Sequence, residues 1–322
     1  MAVDVTAFSA LARAEFMKGK MAADDKPYPA DYAPFTTVMP STTKVETHTY
    51  MTNLPRLARF KGYSPAVRLT NKEYTIPNYE YRIGPVSVRK TDLDDDQIGG
   101  YLQSVQALPA RAKKDVGAAV LEHLAAGTSN LCFDGTAYFA NSHTFGSGDN
   151  LDTANYASND GVTHKVIGLI VDNPAVKPVL FQDREPLSEL MTDADTPQAA
   201  KLKEFEYWAD TRFGLGYGYW WDGYHVTITD TPTVGECYSL VEQIINGFRS
   251  FTLPKGRDAD STLYVHEGWM PKPDNFVLLC NLKLAVILER ALKLTQYVTS
   301  TGNVDNVYKD VATVIPTSAL GA

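Results

Sequence analysis

The chain has 322 residues, of which 44% are hydrophobic and 11% aromatic; this length and composition exclude a disordered protein and allow two domains with substantial cores. Thirty Lys and Arg residues against 38 Asp and Glu residues give a net charge of -8, which excludes a generally basic surface of the kind that coats nucleic acid. The three cysteines show no CxxC spacing, so the sequence predicts free thiols in a reducing compartment and no zinc site.

The beginning of the chain carries little repeating pattern. Residues 5–20 predict a short amphipathic helix, whereas residues 21–41 are rich in Pro, Ala, Asp and Tyr and follow no period. We interpret residues 1–45 as an N-terminal arm that becomes ordered by lying on another surface. No basic-then-apolar leader opens the chain, so we expect no secretion signal.

Residues 51–90 change to a two-residue apolar period, which is typical of strands. The alternation runs from Val67 to Val88 and is interrupted by polar residues near positions 70–73. This pattern predicts a long two-stranded ribbon with its tip near residues 70–73. Because an isolated hairpin is only marginally stable in water, the ribbon needs a surface to lie against, either its own domain or a neighbouring subunit.

The longest helical pattern lies in residues 91–127. Asp94 and Gln97 form a variant capping box at its acidic start, and apolar residues then recur at three- and four-residue steps. Pro109 predicts a kink or a break near Leu108, and Gly127 predicts the helix end. About 30 residues at ~1.5 Å rise give ~45 Å, so the helix would cross a body whose radius of gyration is roughly 20 Å.

The turn-rich residues 130–161 contain the residue types of a nucleophile, an acid and a base, namely Cys132, Asp134 and His143. Nothing in the sequence places these three side chains together, and no elbow motif surrounds the cysteine. The favoured interpretation is a turn at Asp134 and Gly135 with a structural histidine. We therefore predict no catalytic residue, with a soluble hydrolase that uses His143 with Cys132 or Asp134 as the alternative.

The clearest strand pattern covers residues 205–221, where apolar residues occupy the odd positions and Trp208 and Trp220 are exceptions. About 18 residues at ~3.3 Å each exceed the usual strand length, so this is one very long strand or two strands with a bend at the glycines. Gly214, Gly216 and Gly218 open no helix, which argues against a phosphate-binding loop.

The pattern changes again after Pro232. We predict a helix over residues 234–251, a strand over 261–266, an apolar helix over 275–296 and a strand over 311–316. Together they predict a compact α/β unit of about ninety residues. Charged residues interrupt the most apolar region, 276–294, so we expect no membrane span.

Six motifs, in this order along residues 40–316, resemble the major head subunit of Mu-like bacteriophages, the gene product T family. They are DLDDDQIGGY at 92–101, LCFDGTAYFANSH at 131–143, AVKPVLFQDREP at 175–186, EYWADTRFGLGYGYW at 206–220, FRSF at 248–251 and STLYVHEG at 261–268.

The resemblance implies an α+β fold of the Hong Kong 97 capsid type. Its parts would be an N-terminal arm (1–45), an E-loop (52–84), a P-domain (46–51 and 85–231) that contains a spine helix over about 94–126, and an A-domain (232–322). Carried onto this chain, the E-loop residues Lys72, Tyr74 and Arg82 would contact a neighbouring subunit.

The function implied is that of a major capsid protein, which assembles in the host cytoplasm into hexamers and pentamers of an icosahedral virion shell around double-stranded DNA. We expect no cofactor, no metal and no catalytic residue. Expected partners are a separate scaffolding protein, a portal and DNA held by weak non-specific contact, while a decoration protein is left open. The other readings are an encapsulin-like compartment with protein cargo and the hydrolase described above.

Overall fold

This computed structural model describes residues 5–24, 32–51, 71–89, 91, 100–143, 153–158, 164–173, 175–191, 204–228, 232–253, 263–299 and 302–321. Four α-helices lie in these ranges: α1 (Val5–Asp24), α2 (Gly100–Ala125), α3 (Val234–Ser250) and α4 (Leu282–Lys293).

The same ranges contain fifteen strands. They are β1 (Thr36–Pro40), β2 (Val45–Met51), β3 (Asn71–Pro77), β4 (Tyr79–Arg89), β5 (Tyr156–Ala157), β6 (His164–Ile170), β7 (Val179–Met191), β8 (Glu204–Tyr217), β9 (Gly223–Ile228), β10 (Thr252–Leu253), β11 (Leu263–Tyr264), β12 (Phe276–Cys280), β13 (Gln296–Thr299), β14 (Gly302–Asp305) and β15 (Thr313–Pro316).

A four-stranded sheet with long strands is built in the order β1-β7-β8-β4, in which β1 runs parallel to β7 and the other pairs are antiparallel. The predicted long strand is confirmed as β8, whose 14 residues span about 46 Å at ~3.3 Å each. Its odd-numbered residues Ala209, Phe213 and Tyr217 are buried, as the two-residue period predicts. The strand continues straight through Gly214 and Gly216, and a short 3-10 turn at Trp220–Asp222 follows it.

The ribbon prediction is wrong about which strands pair. β3 pairs with β2, so that residues 71–73 lie opposite residues 49–51, and β4 pairs instead with β8. Asn78 stands at the corner between β3 and β4, where its amide donates to the Ser41 hydroxyl and the Thr43 carbonyl. A two-residue period identifies strands but not their partners. The predicted tip at 70–73 is therefore excluded, and most of the predicted E-loop, residues 52–70, lies outside the described residues.

A second sheet of five strands has the order β15-β12-β6-β9-β5. One face of it packs on α3 and α4 through Val166, Val226 and Leu278. The other face packs on the C-terminal half of α2 and on the four-stranded sheet through Ile167 and Leu279. Three of its strands, β5, β6 and β9, come before residue 232. The predicted α/β unit of residues 232–322 therefore supplies only two of the five strands of this sheet, β12 and β15.

The predicted apolar helix over 275–296 is partly wrong. Phe276–Cys280 is a central strand with all five residues buried, and helix α4 begins only after Asn281. The Asn281 side chain accepts a hydrogen bond from the Leu284 N–H at 2.8 Å and caps the helix. A short continuous apolar run fits a buried strand and a buried helix equally well. The predictions at residues 234–251 and 311–316 are confirmed by α3 and β15, and the strand at 261–266 shortens to β11.

The predicted spine helix corresponds to α2, and its predicted start at about residue 94 lies outside the described residues. It runs through Pro109 as a single helix to Ala125 and is followed by a 3-10 turn. Helix α1 lies on α2 of the same chain, while the arm over residues 1–45 stays a prediction. Phe16 on α1 is fully buried, with its ring 5.9 Å from that of Tyr207, and it packs in one cluster with Val105. The buried side chains of α1, Ala12, Phe16 and Ala23, are thus covered within the chain itself.

Candidate functional site

Two of the three residues predicted to contact a neighbouring subunit lie on β3 and are half-buried against their own chain. The Lys72 ammonium donates to the Asp134 carbonyl at 3.5 Å, and the Tyr74 hydroxyl donates to the Leu131 carbonyl at 3.2 Å. Burial raises the pKa of Tyr74 to about 12. These contacts join β3 to the loop that follows α2, and an intersubunit role for Lys72 and Tyr74 stays a prediction.

Arg82 lies apart from them, on the edge strand β4, within a charged network that crosses three strands. Its guanidinium is 3.1 Å from Glu80 and 3.8 Å from Asp210. Arg212 on β8 lies 3.4 Å from Glu80 and 3.1 Å from Glu185 on β7. Because most of these side chains are well exposed, each pair contributes at most about 1 kcal/mol to folding. If another subunit lies against this face of the sheet, the alternating charges favour the one alignment in which each charge meets an opposite charge.

Large apolar side chains are also exposed at positions that could contact another subunit. Leu282 and Val286 are 62% and 65% exposed and lie one turn apart on α4. Val38 and Tyr79, 60% and 59% exposed, lie on the two edge strands of the four-stranded sheet. A single exposed apolar residue needs no explanation, whereas a helical ridge and two open sheet edges are candidate assembly surfaces.

The three residues weighed as catalytic do come together in the loop after α2. The turn at residues 134–135 forms as predicted, and Gly135 adopts a φ of 86° that suits glycine. The Asp134 carboxylate lies at its centre, where Oδ2 is 2.7 Å from His143 Nδ1 and Oδ1 accepts from Cys132 Sγ at 3.0 Å. The His143 ring is fully buried and stacks on Trp220, with centroids 4.2 Å apart.

This arrangement does not activate the cysteine as a nucleophile. The Cys132 thiol donates to Asp134 rather than to the histidine, and burial together with the nearby carboxylate raises the pKa of Cys132 above its ordinary value. A catalytic cysteine needs a lowered pKa and access to substrate, and here the His143 ring has no exposed surface. The structural interpretation of His143 therefore fits the geometry better than the hydrolase.

The same three side chains are also the residue types of a metal site, and their donor atoms all lie within 4.8 Å of one another. Two ligands on one tetrahedral zinc ion stand ~3.3 Å or more apart. The Asp134 and His143 atoms are 2.7 Å apart and the Cys132 and Asp134 atoms 3.0 Å apart. These are hydrogen-bond distances, so the residues do not fit a metal in this arrangement.

Three partners of this cluster were missed in the sequence. The Thr136 hydroxyl lies 2.7 Å from Asp134 Oδ1, Asn155 Oδ1 lies 3.1 Å from His143 Nε2, and Trp220 lies under the ring. The sequence did mark Trp220 as unusual, because this residue breaks the two-residue apolar period of residues 205–221. Nothing in the sequence marked Asn155.

Comparison with known proteins places the chain among phage head proteins. A family model described as the Mu-like prophage major head subunit gpT matches residues 5–234. The chain is 28% identical over 201 residues to the Mu-like prophage FluMu major head subunit of Haemophilus influenzae, covering 60% of this chain and 64% of that protein. It is 27% identical over 198 residues to the major capsid protein of Escherichia phage Mu, covering 60% and 65%.

The match thus spans slightly less than two thirds of the length of these curated relatives. Among solved structures, the subunit of the procapsid of bacteriophage JBD30 superposes with a TM-score of 0.73 at 23% identity, over 99% of this chain and 100% of that one. This likeness confirms the expected α+β fold of the Hong Kong 97 capsid type. None of the described helices is long and apolar enough to cross a membrane. With the family model matching well over half of its residues, the chain belongs to the family of Mu-like prophage major head subunits, gpT.

Proposed function

We propose that this chain is the major capsid protein of a tailed bacteriophage, which self-assembles into hexamers and pentamers of an icosahedral shell around double-stranded DNA. The observation that carries the proposal is the family match over residues 5–234. Assembly would take place in the cytoplasm of the host bacterium, with the product in the virion. The proposal includes no catalytic role, which agrees with the buried thiol and the buried histidine ring.

The surface supports a subunit that works by association. Exposed apolar side chains lie on α4 and on both edges of the four-stranded sheet, and an exposed charged network crosses that sheet. Each contact is weak on its own, but closed rings repeat every contact many times and raise the overall stability without new interactions. The net charge of -8 suits weak contact with packaged DNA, because affinity for phosphate rises with the number of Lys and Arg contacts.

We propose the same four parts as the sequence resemblance implied: an arm (1–45), an E-loop (52–84), a P-domain (46–51 and 85–231) and an A-domain (232–322). Two features bear on the boundaries. β4 continues through residue 84 as part of the four-stranded sheet, and the sheet next to α3 and α4 draws β5, β6 and β9 from before residue 232. Partners proposed beyond the subunit itself are a separate scaffolding protein, a portal and a decoration protein.

Electron microscopy of the purified protein, expressed alone and with its candidate scaffolding protein, tests the assembly. We expect uniform closed shells only in the second preparation. Shells that enclose an enzyme rather than nuclease-protected DNA would instead support the encapsulin-like reading. A protein that stays monomeric at high concentration in both preparations would contradict assembly altogether.

The predicted intersubunit residues can be tested against a matched arginine. Arg82→Ala and Lys72→Ala are expected to lower the yield of shells, measured by sedimentation, while each changes the free energy of unfolding of the subunit by less than about 1 kcal/mol. Arg89 lies on the same strand as Arg82 and is also exposed, paired with Glu204. Arg89→Ala should leave the yield unchanged, and an equal loss in all three variants would refute a specific role for Lys72 and Arg82.

A further inference from the structure

The orientation of the Asn155 side chain is determined by backbone groups. Its Oδ1 accepts the Ala140 N–H at 2.8 Å, and its Nδ2 donates to the carbonyls of Tyr138, Trp220 and Gly223 at 2.7, 3.0 and 3.2 Å. Turning the amide over would place its oxygen against three carbonyl oxygens and its NH2 against an N–H. The atom that faces His143 is therefore an oxygen, which accepts hydrogen bonds and cannot donate one.

This orientation dictates the protons on the His143 ring. Nε2 lies 3.1 Å from Asn155 Oδ1 and must carry a hydrogen to donate to it. Nδ1 lies 2.7 Å from Asp134 Oδ2. Burial alone would raise the pKa of Asp134, but hydrogen bonds from His143, Cys132 and Thr136 outweigh it and lower the pKa to about 2. The carboxylate is thus an acceptor as well. The Thr136 hydroxyl also lies 2.9 Å from Nδ1, but it donates its hydrogen to Asp134 Oδ1 at 2.7 Å, so the hydrogen between Nδ1 and Asp134 Oδ2 belongs to the ring.

We infer that His143 is doubly protonated in the folded protein at neutral pH and forms a buried ion pair with Asp134 that holds three segments of the chain together. The side chains of the two residues are 0% and 1% exposed. The charged ring stacks on Trp220, which adds a cation–π interaction. Because the pair is buried, salt screens it much less than a surface pair.

The segments joined by this pair are far apart in sequence. Asp134 and His143 belong to the loop after α2, Asn155 precedes β5, and Trp220 lies in the turn between β8 and β9. The ring therefore lies where the four-stranded sheet meets the five-stranded sheet. The titratable groups that face it are the Asp134 carboxyl and the Cys132 thiol, while Thr136, Asn155 and Trp220 do not titrate.

Nitrogen-15 NMR of the full chain with labelled histidine tests the proton assignment directly, in solution or in sedimented shells. His225 is a matched control: it is equally buried, neither ring nitrogen has a hydrogen-bond partner among the described residues, and burial lowers its pKa to about 4. At pH 7 we expect two protonated ring nitrogens for His143 and one for His225. Loss of a signal in His143→Gln assigns it, and so does a through-space contact with the Trp220 indole, which needs no variant.

An unprotonated nitrogen on His143 at pH 7 would overturn the inference. A stoichiometric metal in elemental analysis together with an unprotonated Nδ1 would overturn it in a different way, since a cation would then replace the proton. None of these readouts depends on shell formation, so the result is separate from the test of the proposed function.

Discussion

Replacing Gly19 by alanine tests whether α1 is held on α2 by close backbone packing. A Cβ atom at Gly19 would overlap the backbone carbonyl oxygen of Gln106, which belongs to α2 and cannot rotate away. Helix α1 must therefore move outward by on the order of 1 Å. That movement loosens the contacts of Phe16 and Ala12, which are both fully buried, and of Ala23.

Two opposing terms decide the size of the effect. Alanine favours the helical state over glycine by about 1 kcal/mol, whereas overpacking a close contact costs about 1–3 kcal/mol. The complete loss of docking would expose Phe16, whose burial contributes about 1.5–3 kcal/mol. It would also break the hydrogen bonds from Lys113 to the Ala23 carbonyl and from Lys20 to the Leu187 carbonyl, each contributing about 1 kcal/mol. The difference between these two terms is about 0–2 kcal/mol. Because the atom that the Cβ would overlap belongs to the backbone, we expect α1 docking to weaken by the upper half of this range, about 1–2 kcal/mol.

Hydrogen exchange measured by mass spectrometry reports this change on peptides that cover α1. A loss of about 1–2 kcal/mol corresponds to roughly 5–30-fold faster exchange of the α1 amides, and a 20-residue helix without tertiary contacts is only marginally stable. Gly100→Ala is the matched control, because a Cβ there has no atom within 4 Å. If α1 exchanged at the native rate in Gly19→Ala, the close packing of α1 on α2 would be refuted.

Three further predictions concern stability. Hydrogen bonds from the Thr42 N–H, the Ser41 hydroxyl and the Thr43 N–H together lower the pKa of Glu46 to about 2, the first being the largest contribution. This stabilisation is present above about pH 4.3 and is lost as pH falls through about 2. The free energy of unfolding of Glu46→Gln, measured in urea, should therefore depend less on pH in the acid range than that of the native sequence, and an equal dependence would contradict this. Thr233→Ala removes the capping box of α3 and should cost about 1 kcal/mol, whereas Thr233→Ser should cost far less; equal losses would exclude a capping role. Leu278→Ala in the core should cost about 2–5 kcal/mol, and Leu282→Ala, at a side chain that is 62% exposed, should change subunit stability by less than about 0.5 kcal/mol. A larger loss in Leu282→Ala than in Leu278→Ala would contradict the start of α4 after Asn281.

Local patterns were enough to predict several elements. The two-residue period identified β8, β4 and part of β3, and the three- and four-residue steps identified α2 and α3. These signals survive because a strand or helix buries one face whatever its partner is. The family motifs added the fold type, since their order along the chain carries information that periodicity does not.

Pairing and proximity could not be obtained in this way. The same alternation in residues 71–89 would suit one hairpin or two strands in different sheets, and the corner at Asn78 decides between them through contacts with residues 41–43. The apolar run 276–280 became a strand because β6 and β15 lie on either side of it.

The chain by itself determined the type of most elements, the net negative charge and the membership of a capsid family. Tertiary structure alone decided that α1 covers α2, that Asn155 meets His143 and that the histidine ring rests on Trp220. The physical reason is that helix and strand signals arise from neighbours within a few residues, whereas a buried hydrogen-bond network depends on groups brought together from segments up to 86 residues apart, from Asp134 to Trp220.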